Sequence, residues 1–202
     1  MIKGNKIITL SLMLVVFFIL GFMVKGSSSG ILFDIWIMDN THINPNPILL
    51  SIMRFISFMG SGGFLLPVIA MVVSYTLIKK KYYESKLLLI STLGSYLLNH
   101  LLKQFFRRIR PLEYFLVNQR GFSFPSGHSM VAMTLYLTIA FLLVKSSNDN
   151  RKNTLVYIIA SMMVLLMGIS RIYLGVHWPT DVIGGYLIGY IFYCLSIRLV
   201  KE

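Results

Sequence analysis

The sequence predicts an all-α, polytopic membrane protein with six transmembrane helices and a short interfacial helix between the first two. Hydrophobic residues make up 56% of the 202 residues, and only 13% are charged. That charged share is about half of what soluble domains carry. Apolar segments of nearly bilayer length also recur along the whole chain. Because the length suits one domain, we interpret residues 1–202 as a single membrane-embedded domain.

Six apolar segments carry the prediction of membrane-spanning helices. A spanning helix needs about 20 apolar residues, and flanking Tyr, Ser, Gly and Trp residues extend the shorter segments to the interfaces. The segments are residues 7–24, 61–78, 86–102, 127–144, 153–170 and 181–197. The first resembles a signal peptide, but its apolar core exceeds the roughly 7–15 residues of such peptides and no A-x-A cleavage site follows it. We therefore expect a retained helix.

The segment of residues 45–60 has a different pattern. Its apolar residues fall on one helical face, while Ser51, Arg54 and Ser57 lie elsewhere. The apolar set is Ile48, Leu49, Ile52, Phe55, Ile56 and Met59. Because the segment is too short to span a bilayer, it predicts an interfacial helix on the outer leaflet. A plain connector between the first two spans is the alternative.

Lysine and arginine residues in the short loops predict the orientation, because cytoplasmic loops carry an excess of them. Eleven of the 19 lie on the side of the two termini and eight on the opposite side. Five of those eight cluster between residues 103 and 120. If this cluster binds a ligand and does not set the topology, the remaining lysine and arginine residues are clearly more numerous on the side of the termini. We therefore expect cytoplasmic termini, an outward-facing cluster and a location in the cell membrane.

The net charge of +12 has several interpretations. Lysines that set topology and a surface that faces anionic lipids come first, and a bound anion such as phosphate is another. Nucleic acid is not expected as a partner, because the apolar segments leave no soluble domain to carry such a site. No obligate protein partner is evident. The single cysteine, Cys194, excludes an internal disulfide and does not identify the compartment.

The stretch PSGH, which begins at Pro125, stands directly before an apolar helix. Ser126 is a good N-cap, and Gly127 lets the backbone approach a ligand closely. Free N–H groups and the positive end of the helix favour an anion there. His128 would project from the first turn, beside that anion.

The stretch SRIYLGVHWPTD, residues 170–181, places charged groups between two apolar segments. His177 and Asp181 are four residues apart, so they share one face of a helix start. A carboxylate on one imidazole nitrogen fixes the tautomer and leaves the other nitrogen free to act. Lys103, Arg110 and Arg171 add three cations, and guanidinium groups match phosphate oxygens. Together with a second histidine, this pattern predicts phosphoryl transfer by double displacement.

Three linked motifs resemble the signature of the type 2 phosphatidic acid phosphatase superfamily. They are Lys103-x6-Arg110-Pro111, Pro125-Ser126-Gly127-His128 and Ser170-Arg171-x5-His177-x3-Asp181. Every signature position is present in order between residues 103 and 181, and the six-helix plan extends the resemblance to nearly the whole chain. Small bacterial lipid phosphatases, which include phosphatidylglycerophosphate and undecaprenyl diphosphate phosphatases, are the most similar members in size and layout.

The resemblance implies a role for each signature residue. His177 would be the nucleophile, Asp181 would orient it, and His128 would be the general acid. The implied phosphate-binding residues are Lys103, Arg110, Ser126, Gly127 and Arg171. It also implies no metal or other cofactor, in keeping with three nearby cations that would repel a divalent ion.

The expected activity is hydrolysis of the terminal phosphate of a membrane lipid, with phosphatidylglycerophosphate favoured as substrate. Undecaprenyl diphosphate, or a broad range of lipid phosphates such as phosphatidate, is the alternative. Two remote alternatives share the anion site: a vanadium-dependent haloperoxidase, because vanadate resembles the pentacoordinate phosphoryl transition state, and a lipid flippase that binds headgroups.

Several other residues are interpreted as supporting ones. Arg107, Arg108 and Arg120 are expected to be lipid-surface charges or to support the site. Tyr173 and Trp178 fit an aromatic belt at the membrane interface. His42, which lies in a polar stretch, is expected to be solvated.

Overall fold

The computed structural model describes residues 4–145 and 147–200, except for the side chains of residues 4 and 5. Lys3 and Lys201, which contribute to the predicted orientation, lie outside this part. Over the described residues the chain is helical, with a single 3₁₀ turn at Leu112–Tyr114. The α-helices are α1 (Gly4–Met23), α2 (Leu32–His42), α3 (Pro47–Met59), α4 (Gly62–Ile78), α5 (Tyr82–Phe106), α6 (Gly127–Val144), α7 (Asn150–Tyr173) and α8 (Pro179–Leu199).

The six predicted apolar segments coincide with α1 and with α4 to α8. Within the described residues, four single helices are long and apolar enough to cross a membrane, namely α1, α6, α7 and α8. The helices α3 and α4 meet at a bend of 44° and form a fifth candidate if they are taken as one span. The 25 residues of α5 have the length to span, but polar residues alternate with its leucines. The all-α membrane class is confirmed, with four to five candidate spans.

The segment predicted as an interfacial helix is helical, as α3. Its start follows from local chemistry: Asn46 Oδ1 accepts hydrogen bonds from the N–H groups of Ile48 (2.9 Å) and Leu49 (3.2 Å), and a proline occupies the first helical position. Met53 and Ser57 are buried against the rest of the protein. The location of α3 in the membrane interface stays a prediction.

The helix α2 was not predicted from the sequence. Its eleven residues are too few to span a bilayer, and Asp34 and Asp39 interrupt its apolar pattern. Asp34 is fully buried, and it accepts hydrogen bonds from the N–H and the hydroxyl of Thr180 near the start of α8. Tertiary contacts of this kind leave no periodic signal in a short segment.

Helices α6 and α8 form the centre of the bundle, with α1, α5 and α7 packed around them. Two glycines of α8 allow the close approach that their spacing predicts. A Cβ atom at Gly185 would lie 2.7 Å from the carbonyl oxygen of Ser126, and one at Gly189 would lie 2.8 Å from that of Met130. Both carbonyls belong to the start of α6 or its cap, so this packing fixes the position of α6 along the axis of α8.

Two predictions about aromatic residues and one about His42 are wrong. Trp178 is only 1% exposed, and its Nε1–H donates to the carbonyl oxygen of Ile109 at 3.2 Å. Tyr173 is also buried, with its hydroxyl bonded to the backbone of Asn46. Neither side chain is exposed as an interfacial belt requires, because Asn46 covers Tyr173, while Gly30 and Tyr114 pack on Trp178. His42 is half-buried, and its Nδ1 lies 2.8 Å from the carbonyl oxygen of Met38.

Replacement of Gly189 by alanine is expected to destabilise the bundle. The added methyl group would press on the α6 backbone, and such overpacking costs about 1–3 kcal/mol of unfolding free energy. Thermal unfolding of purified protein in detergent measures the loss. The control is Gly63→Ala in α4, where the nearest atom to an added Cβ lies 3.9 Å away. An equal melting temperature for both variants would contradict the packing argument.

Candidate active site

A cavity of about 570 Å³ lies between the α3–α4 turn, α4, α5 and the starts or ends of α6 and α7. All three sequence motifs contribute to its lining. The signature residues that line it are Lys103, Arg110, Gly127, His128, Arg171 and His177. Ser126 and Asp181 are fully buried behind this lining. The structure therefore brings all eight predicted site residues to one end of the bundle.

Lys103 stands in the last turn of α5, which ends where Arg107 takes a left-handed backbone conformation (φ 51°). The Nζ of Lys103 donates to the carbonyl oxygens of Phe122 (2.6 Å) and Ser123 (2.8 Å). These carbonyls belong to the loop before α6. The lysine thus ties the end of α5 to the approach of the second motif, and its charge faces the cavity.

Arg110 is held by backbone carbonyls on two loops. Its Nε donates to Gly121 (2.9 Å), its Nη2 to Phe122 (3.2 Å) and its Nη1 to Val176 (2.6 Å). Burial lowers the pKa of Arg110 to about 10, so the guanidinium remains charged at neutral pH. Its Nη1 also lies 3.1 Å from Nε2 of His177. A fixed cation therefore stands beside the imidazole.

Ser126 caps α6, as predicted. Its Oγ accepts a hydrogen bond from the N–H of Ser129 at 3.4 Å, and its own N–H donates to the carbonyl oxygen of Asp181 at 2.9 Å. The hydroxyl is thus part of the helix cap rather than of the cavity wall. Gly127 follows it as the first helical residue, so the N-terminus of α6 opens on the cavity.

His128 lines the cavity from the first turn of α6. Asn99 of α5 supports this turn, because its Nδ2 donates to the carbonyl oxygen of Pro125 at 3.1 Å. A Cβ at Gly127 would lie 2.8 Å from Asn99 Oδ1, which explains the glycine. On the opposite side, a Cβ at Gly60 would lie 2.9 Å from Cδ2 of His128. The α3–α4 turn thus packs directly on this histidine.

Arg171 projects from the last turn of α7 and is almost fully buried. Its Nη1 donates to the hydroxyl of Ser57 on α3, and its Nη2 donates to Oε1 of Gln119 at 3.0 Å. No partner for its Nε is found among the described residues. The sequence did not identify Ser57 or Gln119 as site residues, because no motif links them to an arginine 114 and 52 residues away.

His177 lies two residues before α8 begins, and Asp181 lies in the first turn of that helix. Oδ2 of Asp181 is 3.3 Å from Nδ1 of His177, and it accepts hydrogen bonds from the N–H of Trp178 (2.9 Å) and from the hydroxyl of Ser123. The predicted contact is therefore present, although His177 precedes the helix instead of standing on its face. Ser123 is a further buried residue of the site that the sequence argument missed.

The environment of His177 favours the neutral ring. Burial, and then the cations Arg110, Lys103 and Arg171, hold the pKa of His177 well below its usual range. With Asp181 accepting at Nδ1 and Arg110 donating toward Nε2, the hydrogen bonds favour a proton on Nδ1. The lone pair of Nε2 then accepts from the Arg110 guanidinium at the cavity.

Arg108 was predicted as a lipid-surface or supporting charge. It is 0% exposed and forms ion pairs with Asp34 (2.7 Å) and Asp181 (2.8 Å), so the lipid-surface interpretation is wrong. Arg107 and Arg120 are exposed, and Arg120 lies at the cavity. In the described ranges, 4–145 and 147–200, no group of three or more His, Cys, Asp or Glu residues could hold a metal ion. The absence of a metal requirement stays a prediction.

Three cations, a helix N-terminus, a neutral imidazole oriented by a carboxylate and a second histidine surround one cavity. This combination offers an anion a positive environment beside an imidazole, the arrangement expected of a histidine-based phosphoryl-transfer protein. The family model described as the PAP2 superfamily matches residues 85–202. The chain belongs to the PAP2 superfamily, as its three motifs predict.

Individual relatives agree with this assignment. Phosphatidylglycerophosphatase B of Bacillus subtilis is 41% identical over 150 residues, which cover 74% of each chain. An undecaprenyl-diphosphatase of Sulfolobus acidocaldarius is 26% identical over 93% of this chain and 89% of its own. The crystal structure of a transmembrane PAP2-type phosphatidylglycerolphosphate phosphatase from Bacillus subtilis superposes with a TM-score of 0.84 at 34% identity, over 94% of both chains.

The lowered pKa of His177 gives a spectroscopic prediction. At pH 6.5, where an ordinary histidine is about half protonated, His177 should remain neutral with its proton on Nδ1, because protonation would add charge beside three cations. Long-range ¹H–¹⁵N correlation spectra of histidine-labelled protein report both the charge and the tautomer.

The four histidines give few signals, and loss of one signal in His177→Gln assigns it. A histidine-containing peptide in the same detergent serves as the reference. Titration of His177 at the midpoint of the peptide would contradict the electrostatic argument.

Proposed function

We propose that the protein is an integral-membrane lipid phosphatase that removes the terminal phosphate of a lipid phosphate, with phosphatidylglycerophosphate as the favoured substrate. The observation that carries this proposal is the lining of the cavity. Besides the three cations, the lining includes apolar residues of two helices, namely Leu65, Leu66 and Ile69 of α4 and Leu93 of α5. One cavity therefore offers contacts to a phosphate and to a lipid tail. The name of the Bacillus relative supports the choice of lipid.

The proposed reaction has two displacements. In the first, the bound phosphate dianion offsets the surrounding cations, so that His128 enters as the imidazolium. Nε2 of His177 attacks phosphorus, the bond to the lipid alcohol breaks, and His128 donates its proton to the leaving oxygen. In the second, His128 takes a proton from water, the hydroxide attacks the phosphohistidine, and the P–N bond breaks to release inorganic phosphate. Asp181 keeps the Nδ1 proton in place and opposes the positive charge that forms on the ring.

Stabilisation of the transition state comes from fixed positive groups. Lys103, Arg110 and Arg171 would face the equatorial oxygens, together with the N–H groups at Gly127. Backbone carbonyls, a hydroxyl and an amide hold the three cations in place before substrate arrives. Ser126 contributes indirectly, since its hydroxyl maintains the helix start.

A lipid diphosphate is the second candidate substrate. Further polar side chains, namely His100, Gln104, Gln119 and Arg120, line the cavity beyond the three cations. They offer contacts to a second phosphate, and a relative named undecaprenyl-diphosphatase matches nearly the whole chain. The phosphatase relatives favour hydrolysis over halide oxidation and over lipid transport.

We further propose six membrane spans, in which α5 crosses beside α4 and α6, while α3 lies at the outer interface. Helix α5 is long enough to cross, and it packs against both neighbours. The site would then face the outer side of the cell membrane, with both termini in the cytoplasm. The excess of lysine and arginine on the side of the termini supports this orientation.

Phosphate release from purified protein in detergent tests the activity. We expect release from phosphatidylglycerophosphate in the presence of EDTA, with a higher kcat/KM than for undecaprenyl diphosphate or phosphatidate. His177→Ala removes the nucleophile and should lower kcat at least about a thousand-fold. His128→Ala removes the proton donor and should lower it about 10²–10⁴-fold. Rapid quench with radiolabelled lipid should trap a phosphorylated protein in the wild type and not in His177→Ala.

The control is His42→Ala, a histidine that does not line the cavity. Full activity of His177→Ala would exclude the proposed mechanism. Lipid transport that persists in His128→Ala after hydrolysis is lost would make transport the primary role. A higher kcat/KM for the diphosphate would select the second candidate.

Thiol labelling of intact cells tests the orientation. In a Cys194→Ser background, Asn118→Cys lies in the exposed loop near the site and should react with a membrane-impermeant reagent. Lys152→Cys, at the start of α7, should react only after the cells are opened. The reverse pattern would invert the topology.

A further inference from the structure

The side chain of Arg108 bridges two carboxylates in the interior of the protein. Its Nη1 donates to Oδ1 of Asp181 (2.8 Å) and to the hydroxyl of Thr180 (2.7 Å), and its Nη2 donates to Oδ2 of Asp34 (2.7 Å). All three charged side chains are 0% exposed. The guanidinium carbon also lies 5.3 Å from the ring centre of Trp178. A charge buried this deeply needs such pairing.

Thr180, at the start of α8, holds the carboxylate of Asp34 in place. Its Oδ1 accepts from the N–H of Thr180 (2.9 Å), and its Oδ2 accepts from the hydroxyl of the same residue (2.8 Å). The N–H lies in the first turn of α8, where a negative charge is stabilised by the helix terminus. Asp34 therefore docks α2 on α8 and holds Arg108 between the two helices.

The bridge determines how Asp181 is oriented. Arg108 occupies Oδ1, which leaves Oδ2 for Nδ1 of His177, the hydroxyl of Ser123 and the N–H of Trp178. Among the described residues, Arg108 is the donor to Oδ1, so its loss would leave that oxygen of the carboxylate without a hydrogen bond. A rotation of Asp181 would move Oδ2 away from the imidazole.

The bridge also determines the charge behind His177. Asp34, Arg108 and Asp181 carry −1, +1 and −1, so the cluster has the same net charge as Asp181 alone. Loss of Asp34 would leave the cluster neutral, and loss of Arg108 would leave it at −2. The first change weakens the charge that opposes an imidazolium at His177, and the second buries two unpaired carboxylates.

We infer that Asp34 and Arg108 form a positioning pair that fixes the Asp181 carboxylate against His177 and sets the charge that it presents. Neither residue lines the cavity, so neither touches the substrate. The inference rests on the proposed function, in which Asp181 orients the nucleophile. It assigns a mechanistic role to the helix α2, which lies outside the matched family region.

A double-mutant cycle tests this pair in the full-length protein. Asp34→Asn and Arg108→Gln should each lower kcat about 10–100-fold, the usual effect of a residue that supports a catalytic group. The KM and the inhibition constant of inorganic phosphate should change less than about threefold, because the three cations of the anion site remain. The double variant restores the net charge and should have a higher kcat than the poorer single variant.

Matched controls remove the same charges nearby. Arg107→Gln changes the exposed neighbour of Arg108, and Asp39→Asn changes an exposed carboxylate on the same helix as Asp34. Both should keep the wild-type kcat. Arg108→Lys retains the charge without the fork that reaches both carboxylates, so it should fold and still lose kcat. Elution volume and thermal unfolding in detergent verify the fold of each variant.

The outcomes separate this inference from the function on which it rests. If the wild type releases no phosphate from any lipid, the proposed function fails. If the wild type is active and Asp181→Asn is not, but folded Asp34→Asn and Arg108→Lys keep full kcat, the positioning pair alone is refuted. The inference would also be refuted if the kcat loss of the double variant equalled the product of the two single losses. A rise in the inhibition constant of phosphate as large as the fall in kcat would refute it as well.

Discussion

The buried carboxylate of Asp181 is the constraint on which this end of the bundle depends. A negative charge without solvent costs several kcal/mol unless donors surround it, and the four donors here come from three parts of the chain. They are Arg108 after α5, Ser123 before α6, the N–H of Trp178 at α8, and His177. The loops that carry the three motifs therefore converge because each must supply a donor to the same group.

In the described part of the chain, the cations of the anion site are held by neutral acceptors and not by carboxylates. Lys103 and Arg110 are held by backbone carbonyls, and Arg171 by a hydroxyl and an amide oxygen. Within the described ranges, the buried carboxylates pair instead with Arg108 and His177. Neutral acceptors fix the direction of each cation without cancelling its charge. The positive field thus remains available to an incoming phosphate.

Local patterns in the sequence predicted much of this architecture, and long-range contacts account for what they missed. The apolar segment 127–144 matches α6 to the residue, and the motifs identified three of the lining cations and two of the lining histidines. They did not identify His100 or Arg120, which also line the cavity. In contrast, Arg108 and Asp34 are 74 residues apart, and Arg171 and Ser57 are 114 apart. No periodicity or motif connects such pairs. Trp178 was misplaced for the same reason, because an aromatic residue near a span predicts an interface until the loops that cover it are known.

The motif residues of the cavity lie in the C-terminal part of the chain, and some of the residues that hold them in place lie in the N-terminal part. The matched family region, residues 85–202, contains His128, His177 and the three cations of the anion site. Asp34 on α2 and Ser57 on α3 contact it from outside. The N-terminal helices are therefore not interchangeable membrane anchors. An exchange of the N-terminal third between two family members would preserve all three motifs. It would still remove these acceptors of Arg108 and Arg171, unless the incoming segment carried a carboxylate and a hydroxyl at the positions of Asp34 and Ser57.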